Sequence, residues 1–441
     1  MSILIKNGTL VTMNPQRDIL QADLLIEGNR IQKIGKNIMS ESATVIDASG
    51  KLVIPGLIQS HIHLCQVLFR GLADDLELLD WLRLRIWPLE GAHDEESLFY
   101  SSLLGCAELL RGGTTSIIDM GTVHHTESIF EAVKRAGIRY LGGKCMMDYG
   151  AEVPASLMDN TDNALSESLD LLSRWDGKED NRIHYAFCPR FAVSCSEELL
   201  QEIQRLSCEY HIPVHTHASE NLGEVALIEK ERGMRNVLYL NELGLCNENL
   251  ILAHCIHIDD EEKKVLAESR TNIVHCPSAN LKLASGIAPI PQLLEQGARV
   301  SLGADGAPCN NNLNIFMEMR LAALIHKPFN GPLSMPAEQV FELATLGGAR
   351  AIGLENDIGS LETGKKADVV IVDIKNWHSQ PSSAANAYSH LVYQSQASDV
   401  DAAIVDGKIL MMNRKISSIN EAELKSQAEK SLKRVLSRIA F

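Results

Sequence analysis

His61, His63, His217, Glu220, His254 and Asp305 each stand just after a short apolar run. That pattern reads as a metal-dependent hydrolase site built from the ends of several parallel strands. In the His-x-His pair, Gln59, His61 and His63 share one face of an extended segment, because alternate side chains on a strand point the same way. Two imidazoles so placed grip one ion. A third nitrogen and a carboxylate complete a site with room for water, and such donors suit one divalent ion, zinc first and ferrous iron second. Taken alone, His-x-His is equally well two partly buried histidines on a strand. Here the apolar stretch 52–58, with its Pro55-Gly56 break, delivers the pair directly.

The elements that must position these groups alternate short β-like runs with amphipathic helical stretches, the signature of parallel βα units. Strand candidates are 52–63, 114–121, 138–147, 183–190, 212–219, 250–256, 272–277 and 300–305, with helix candidates such as 94–111, 127–135, 197–209 and 260–269 between them. Eight such runs predict an α/β fold, a closed (β/α)8 TIM barrel, in which catalytic groups sit at the C-terminal strand ends. The six residues fall at the ends of the first, fifth, sixth and eighth candidates, a distribution hard to obtain from packing alone. Residues 1–55 and 358–420 are expected to form a composite β-sandwich beside a barrel of 56–357. Ile3-Leu4-Ile5-Lys6-Asn7-Gly8 and Leu24-Leu25-Ile26-Glu27-Gly28 read as strands with turns, and Asp368-Val369-Val370-Ile371-Val372 and Ala403-Ile404-Val405-Asp406-Gly407-Lys408 mirror them. Helical spacing from Glu421 predicts a docked terminal helix over 421–441.

At 441 residues, 45% hydrophobic and 22% charged, the chain has the composition of an ordinary globular protein. No run approaches the roughly 18 apolar residues of a membrane helix, and Met1-Ser2-Ile3-Leu4-Ile5-Lys6 lacks a signal-peptide layout, so a cytoplasmic protein is expected. Ten scattered cysteines fit reduced thiols. A formal charge of −16 without a basic block argues against nucleic-acid or anionic-membrane binding. A small heterocyclic substrate and water are the expected partners, with a homo-oligomer open.

Pro55-Gly56-Leu57-Ile58-Gln59-Ser60-His61-Ile62-His63, His217-Ala218-Ser219-Glu220, Ala253-His254-Cys255 and Gly303-Ala304-Asp305-Gly306 resemble the metal motifs of the amidohydrolase superfamily, in the branch that hydrolyses amino groups from N-heterocycles. The resemblance covers nearly the whole chain, with Ala304 where many relatives carry Thr. It implies a metal on His61, His63, His217 and Asp305, with Asp305 taking a proton from water, Glu220 passing one to a ring nitrogen and His254 steadying the developing charge. Within that branch, His63-Leu64-Cys65-Gln66, Leu78-Leu79-Asp80-Trp81-Leu82, Gly143-Lys144-Cys145-Met146-Met147-Asp148 and Cys188-Pro189-Arg190-Phe191-Ala192-Val193-Ser194-Cys195-Ser196 resemble guanine deaminases. That likeness implies a base held by Gln66, Trp81, Arg190 and Phe191. Asn280-Leu281-Lys282-Leu283, Gly286-Ile287-Ala288-Pro289, Asn310-Asn311-Asn312-Leu313 and Glu318-Met319-Arg320-Leu321-Ala322 instead resemble deaminases of methylthioadenosine, S-adenosylhomocysteine and 5'-deoxyadenosine, and s-triazine hydrolases.

An amide offers donor and acceptor together while Arg only donates, so Gln66 with Arg190 suits a base bearing a carbonyl oxygen. A guanine-like oxopurine is therefore the expected substrate, with Arg190 as a structural ion-pair partner the competing reading. His215 shares the strand face of His217 and is expected one barrel layer deeper. His124-His125 read as pocket lining or as a hydrogen-bonded loop pair, and His275 as a further pocket candidate. Cys65 and Cys309 lack a paired base, and Trp87 reads as a stacking partner or as core. The barrel retained as a metal-free binding subunit stays open as a non-enzymatic reading, because fold does not imply function.

Overall fold

The computed structural model describes residues 2–382 and 386–439; Met1, 383–385 and the last two residues, which fall within the spans expected for the composite domain and the terminal helix, lie outside them. The chain opens with β1 (Ser2–Val11), β2 (Ile19–Glu27), β3 (Arg30–Gly35), β4 (Thr44–Asp47) and β5 (Lys51–Pro55), then enters the barrel at β6 (Leu57–His63). The single run expected over 52–63 is thus two strands in two sheets. Gly56 permits the change of sheet, since a Cβ there would lie 2.0 Å from Thr115 Oγ1.

The barrel continues through β7 (Thr114–Asp119), β8 (Arg139–Gly142), β9 (Cys145–Met146), β10 (Ile183–Tyr185), β11 (Cys188–Pro189), β12 (Val214–Ala218), β13 (Leu250–His254), β14 (Asn272–His275), β15 (Arg299–Leu302) and β16 (Asp305–Gly306). β8 with β9, β10 with β11, and β15 with β16 are each one expected run interrupted for two residues. Parallel ladders run in the orders β10-β8-β7-β6-β16, β11-β9 and β12-β13-β14-β15. Bridges Phe187–Val214 and Phe191–His217 carry the fourth run onto the fifth, and the Asp305–Ile62 pairing returns the eighth to the first. Alternation sorts the side chains: Ile58, Ile118, Leu141, Ile251 and Val274 fill one interior cluster. Leu57, Ile117, Tyr140, Leu252 and Ile273 pack outward with the helices.

The helices form where sequence periodicity places them, at Glu95–Arg111, Glu127–Ala136, Glu197–Tyr210 and Asp260–Glu268. Asp94 caps the first by accepting from Ser97 N at 2.7 Å, while Ser97 Oγ accepts from Asp94 N at 2.9 Å.

After the barrel come β17 (Val369–Asp373), β18 (Val400–Val405), β19 (Lys408–Met412) and β20 (Lys415–Ile416). They join the opening strands in one sheet ordered β20-β19-β18-β17-β5-β1-β2-β3, with β4 beside β1. Ile3, Ile5, Leu24 and Ile26 from one half meet Val369, Ile371, Ala402 and Ile404 from the other in a single apolar cluster, so the sheet sandwiches its own core. Leu52, Ile54, Val370 and Val372, of opposite parity, join the barrel's outer cluster. Asn7-Gly8 is not the expected turn: β1 runs through it, Asn7 has φ 60°, and its N–H donates to Asp23 Oδ1 at 2.9 Å, so the pair is a bulge. The expected turn at Gly28 does form, joining β2 to β3. A helix at Glu421–Leu436 follows, and its Ala428 and Val435 pack with Leu68, Phe69 and Leu89.

Candidate active site

Alternation on β6 sends His61 and His63 to the barrel's C-terminal mouth, where β12 brings His217, β13 His254 and β16 Asp305. Gly303 lets the eighth run approach the first: a Cβ there would lie 2.6 Å from the His61 carbonyl oxygen and 2.8 Å from its nitrogen. Asp305 Oδ1 consequently lies 3.3 Å from His61 Nε2 and 3.4 Å from His63 Nε2, and His63 Nε2 lies 3.3 Å from His217 Nε2. Two atoms each about 2.0–2.1 Å from one tetrahedral ion stand about 3.4 Å apart, so these separations match a ligand set. Side-chain ligand atoms of His61, His63 and His217, and of His61, His254 and Asp305, lie within 4.8 Å of one another. His61 Nε2 is buried without a hydrogen-bond partner among the described residues, a nitrogen that an ion would satisfy. Behind them, His61 Nδ1 meets His215 Nε2 at 2.8 Å and His217 Nδ1 meets the Arg190 carbonyl at 2.7 Å, contacts that fix ring orientation.

A cavity opens over this cluster, lined by His63, His217, Glu220, His254 and Asp305 at its floor and by Gln66, Trp81, Arg190 and Phe191 on its walls. Leu78, Leu82 and Leu283 complete the walls. Glu220 Oε2 lies 3.4 Å from His254 Nε2, and His254 Nδ1 pairs with Asn280 Oδ1 at 2.9 Å. All seven residues expected on catalytic or base-contacting grounds, and the metal-ligand candidates His63 and His217, thus line one cavity, with His61 buried directly beneath.

Residues 52–410 match the amidohydrolase family. A 5'-deoxyadenosine deaminase of Methanocaldococcus jannaschii is 39% identical over 97% of this chain and 98% of its own. A 5-methylthioadenosine/S-adenosylhomocysteine deaminase of Thermococcus onnurineus is likewise 39% identical, over 94% and 95%. Among solved structures, an adenosine deaminase from Xanthomonas campestris with bound zinc superposes with a TM-score of 0.92 at 30% identity, covering 99% of this chain and 98% of that one. The chain belongs to the amidohydrolase family. It is a hydrolytic deaminase of amino-substituted N-heterocycles, and its buried His/Asp cluster suits a divalent metal.

The electrostatics of this amidohydrolase site follow from burial. Desolvation holds His61, and more strongly His63 and His217, below the ordinary imidazole range, so their rings are neutral and able to ligate. Burial works against ionising Asp305 too, but the close approach of His61 and the neighbouring His254 and His63 rings outweigh it and hold that carboxyl well below its usual range. Glu220 goes the other way: burial, then the charges of Asp305 and Glu224, push it well above. Two carboxyl groups of one site are thus driven apart, one held ionised and one held protonated.

Several assignments from sequence change. Arg190 lines the cavity, yet its guanidinium is bound to Glu90, Nη1 to Oε2 at 2.6 Å and Nη2 to Oε1 at 3.3 Å. Gln66 Nε2 donates to the same Glu90 Oε1 at 2.7 Å, leaving Gln66 Oε1 buried and unpartnered. Glu90 was not singled out in sequence, and only tertiary packing brings it here. His275 points away from the cavity: it shares the parity of Ile273, and its ring lies against His326 in the outer layer, centroids 5.5 Å apart. His124 and His125 are exposed outside the cavity. His215 lies behind His61, a layer deeper, as its register requires. Cys65 and Cys309 donate to the Gly121 and Gly306 carbonyls and are held as thiols by burial, and Trp87 is core. Asn280, which orients His254, opens a motif read only for its likeness to nucleoside deaminases, and Glu224, which accepts from the Ser219 and Glu220 N–H groups at 3.1 and 2.8 Å, lies outside every motif read from sequence.

Proposed function

We propose that this amidohydrolase removes the 6-amino group of a 5'-substituted adenosine, of the 5'-deoxyadenosine, methylthioadenosine or S-adenosylhomocysteine class, releasing ammonia. The observation that carries this over an oxopurine is the hold of Glu90 on both Arg190 and Gln66. A purine carbonyl would need donors aimed at it, and Glu90 turns Nη1 and Nη2 of Arg190 and Nε2 of Gln66 toward itself; the Gln66 Oε1 left over is an acceptor. The two relatives named above, 39% identical along nearly their full lengths, support the same class.

His61, His63, His217 and Asp305 would hold one ion, zinc by the chemistry of three nitrogens and a carboxylate, which when bound supplies a water acidic enough to attack at neutral pH. Asp305, ionised, is placed to take a proton from the water that adds to the amino-bearing carbon. Glu220, protonated, gives its proton to the adjacent ring nitrogen, and His254 presents Nε2 to the developing charge while Asn280 fixes Nδ1. Asp305 then gives its proton to the amino group, the C–N bond breaks to release ammonia, and the hydroxyl proton goes to Glu220 as the carbonyl forms, restoring both carboxyl groups. Trp81 and Phe191 supply apolar surface for the ring.

Ammonia release from 5'-deoxyadenosine, methylthioadenosine, S-adenosylhomocysteine, adenosine, guanine and 8-oxoguanine by zinc-loaded protein tests the reading. Preference for the nucleosides is expected. Preference for guanine or 8-oxoguanine, abolished by Arg190→Ala, would return the protein to the oxopurine branch.

A further inference from the structure

Asn310-Asn311-Asn312-Leu313 and Glu318-Met319-Arg320-Leu321-Ala322 have no part in the chemistry above, yet Glu318 is fully buried on the helix Ile315–Ile325 directly behind the site. Its carboxylate receives three donors. Ser278 Oγ donates to Oε1 at 2.6 Å, Ser278 N to Oε2 at 3.1 Å, and Asn310 Nδ2 to Oε1 at 2.8 Å. Each leads to a group of the catalytic constellation. Ser278 belongs to the short helix Pro277–Lys282, which carries Asn280 and through it the Nδ1 contact of His254. Asn310 Nδ2 also donates to the carbonyl of Ala304 at 2.8 Å, one residue before Asp305. The N–H of the same Ala304 donates to Gln59 Oε1 at 3.1 Å, and Gln59 Nε2 returns to the Leu313 carbonyl at 2.8 Å. Ala304 is therefore held on both sides, and Asp305 follows it with φ 63°, a left-handed conformation that a non-glycine residue keeps only when its surroundings enforce it.

We propose that Glu318 is a positioning residue that sets His254 and Asp305 relative to one another, tying the helix of Asn280 and the peptide of Ala304 to one carboxylate. A carboxylate suits the task because it accepts from all three donors and carries none of its own. A glutamine in its place would turn an NH2 group toward one of them. The inference rests on the deaminase reading for its rate assay.

The experiment measures kcat and KM for Glu318→Gln, for the milder Ser278→Ala, for Asn280→Ala and for the double variant Glu318→Gln/Asn280→Ala, on the nucleoside that wild type deaminates fastest. Misplacing catalytic groups by a fraction of an ångström costs rate more than binding, so Glu318→Gln is expected to lower kcat by about 10- to 100-fold with KM within about threefold, and Ser278→Ala by about 3- to 10-fold. Because Glu318 acts on His254 through the helix of Asn280, the double variant is expected to lose less than the product of the two single losses. An unchanged kcat, or losses that simply multiply, overturns the proposal. If wild type deaminates no purine offered, the proposed function falls by itself. The positioning role is then read from the visible absorption of the cobalt(II)-loaded protein, expected to change in Glu318→Gln; superimposable spectra overturn it.

Discussion

Glu90→Gln tests whether Arg190 is held as a structural ion or free to read substrate. The two side chains are 3% and 5% exposed and meet at 2.6 Å, so both charges are out of water and each is the other's main compensation. Burial opposes the charge on Arg190, and the Glu90 carboxylate more than restores it. Removing one partner of such a pair leaves an uncompensated buried charge and costs about 3 to 5 kcal/mol. With unfolding entropy near 2 cal/mol/K per residue, 441 residues melting as one unit give about 0.9 kcal/mol per degree, so Tm should fall by roughly 4 °C. Glu90→Gln/Arg190→Met removes both charges at similar volume and should recover most of that loss, since an apolar replacement of a buried pair is often neutral. Calorimetry of wild type, both single variants and the double variant closes the cycle, with an expected coupling of about 3 kcal/mol. A Glu90→Gln protein melting with wild type, or a double variant melting below both singles, would refute the claim that the two charges compensate each other.

Glu220→Gln should retain one equivalent of metal and lose at least about 100-fold in ammonia release, the scale of a general acid, whereas His61→Ala should lose both; metal analysis beside the rate assay separates them. Chelation should abolish turnover and lower Tm, and added zinc should restore both, since an ion that binds only the folded site stabilises it. His93, buried between Ser97 Oγ at 2.9 Å and the Cys65 carbonyl at 2.8 Å, is driven by burial down to about 4. A depressed base takes its proton more readily when unfolded, so stability is full above the unfolded value near 6.5 and declines as pH falls toward 4, by about 3 kcal/mol in all. Urea unfolding at pH 7 and 4.5 should therefore show a smaller loss on acidification for His93→Gln than for wild type.

The framework of this site was legible because it is local. Eight apolar runs of strand length carry the barrel, and the ends of the first, fifth, sixth and eighth carry the positions of His61, His63, His217, His254 and Asp305. The likeness of their motifs to guanine deaminases puts Gln66, Trp81, Arg190 and Phe191 at the cavity, and they do line it. What they do there was not legible. Glu90 lies in a short helix, Trp87–Glu90, 100 residues before Arg190 in sequence, and no spacing rule joins the two. His275 failed for a nearer reason: at the tip of a four-residue strand, one position of register separates the cavity from the outer layer. Asn7-Gly8 has the composition of a hairpin turn, yet the Asp23 carboxylate captures the Asn7 N–H and keeps the strand running.

The acid excess that argued against nucleic acid has a second use at the strand ends. Ser219, His254 and Asp305 all hold φ between 55° and 75°, conformations that cost energy for residues with side chains. Around them stand buried carboxylates whose partners are largely backbone N–H groups. Asp119 accepts from Leu64 N at 2.8 Å, just past His63, and from Gly121 N at 3.1 Å. Glu224 accepts from Ser219 and Glu220, and Glu318 from Ser278. Burial works against the charge of Asp119 and Glu318, and the donors around each work to keep it. Their use is geometric: a carboxylate takes two or three donors without a hydrogen of its own to place, which an amide cannot match. One class of acid thus holds the backbone around the strand ends, while Glu220 and Asp305, to which the proposed function gives the chemistry, face the cavity, and the first class is visible only once the chain has folded.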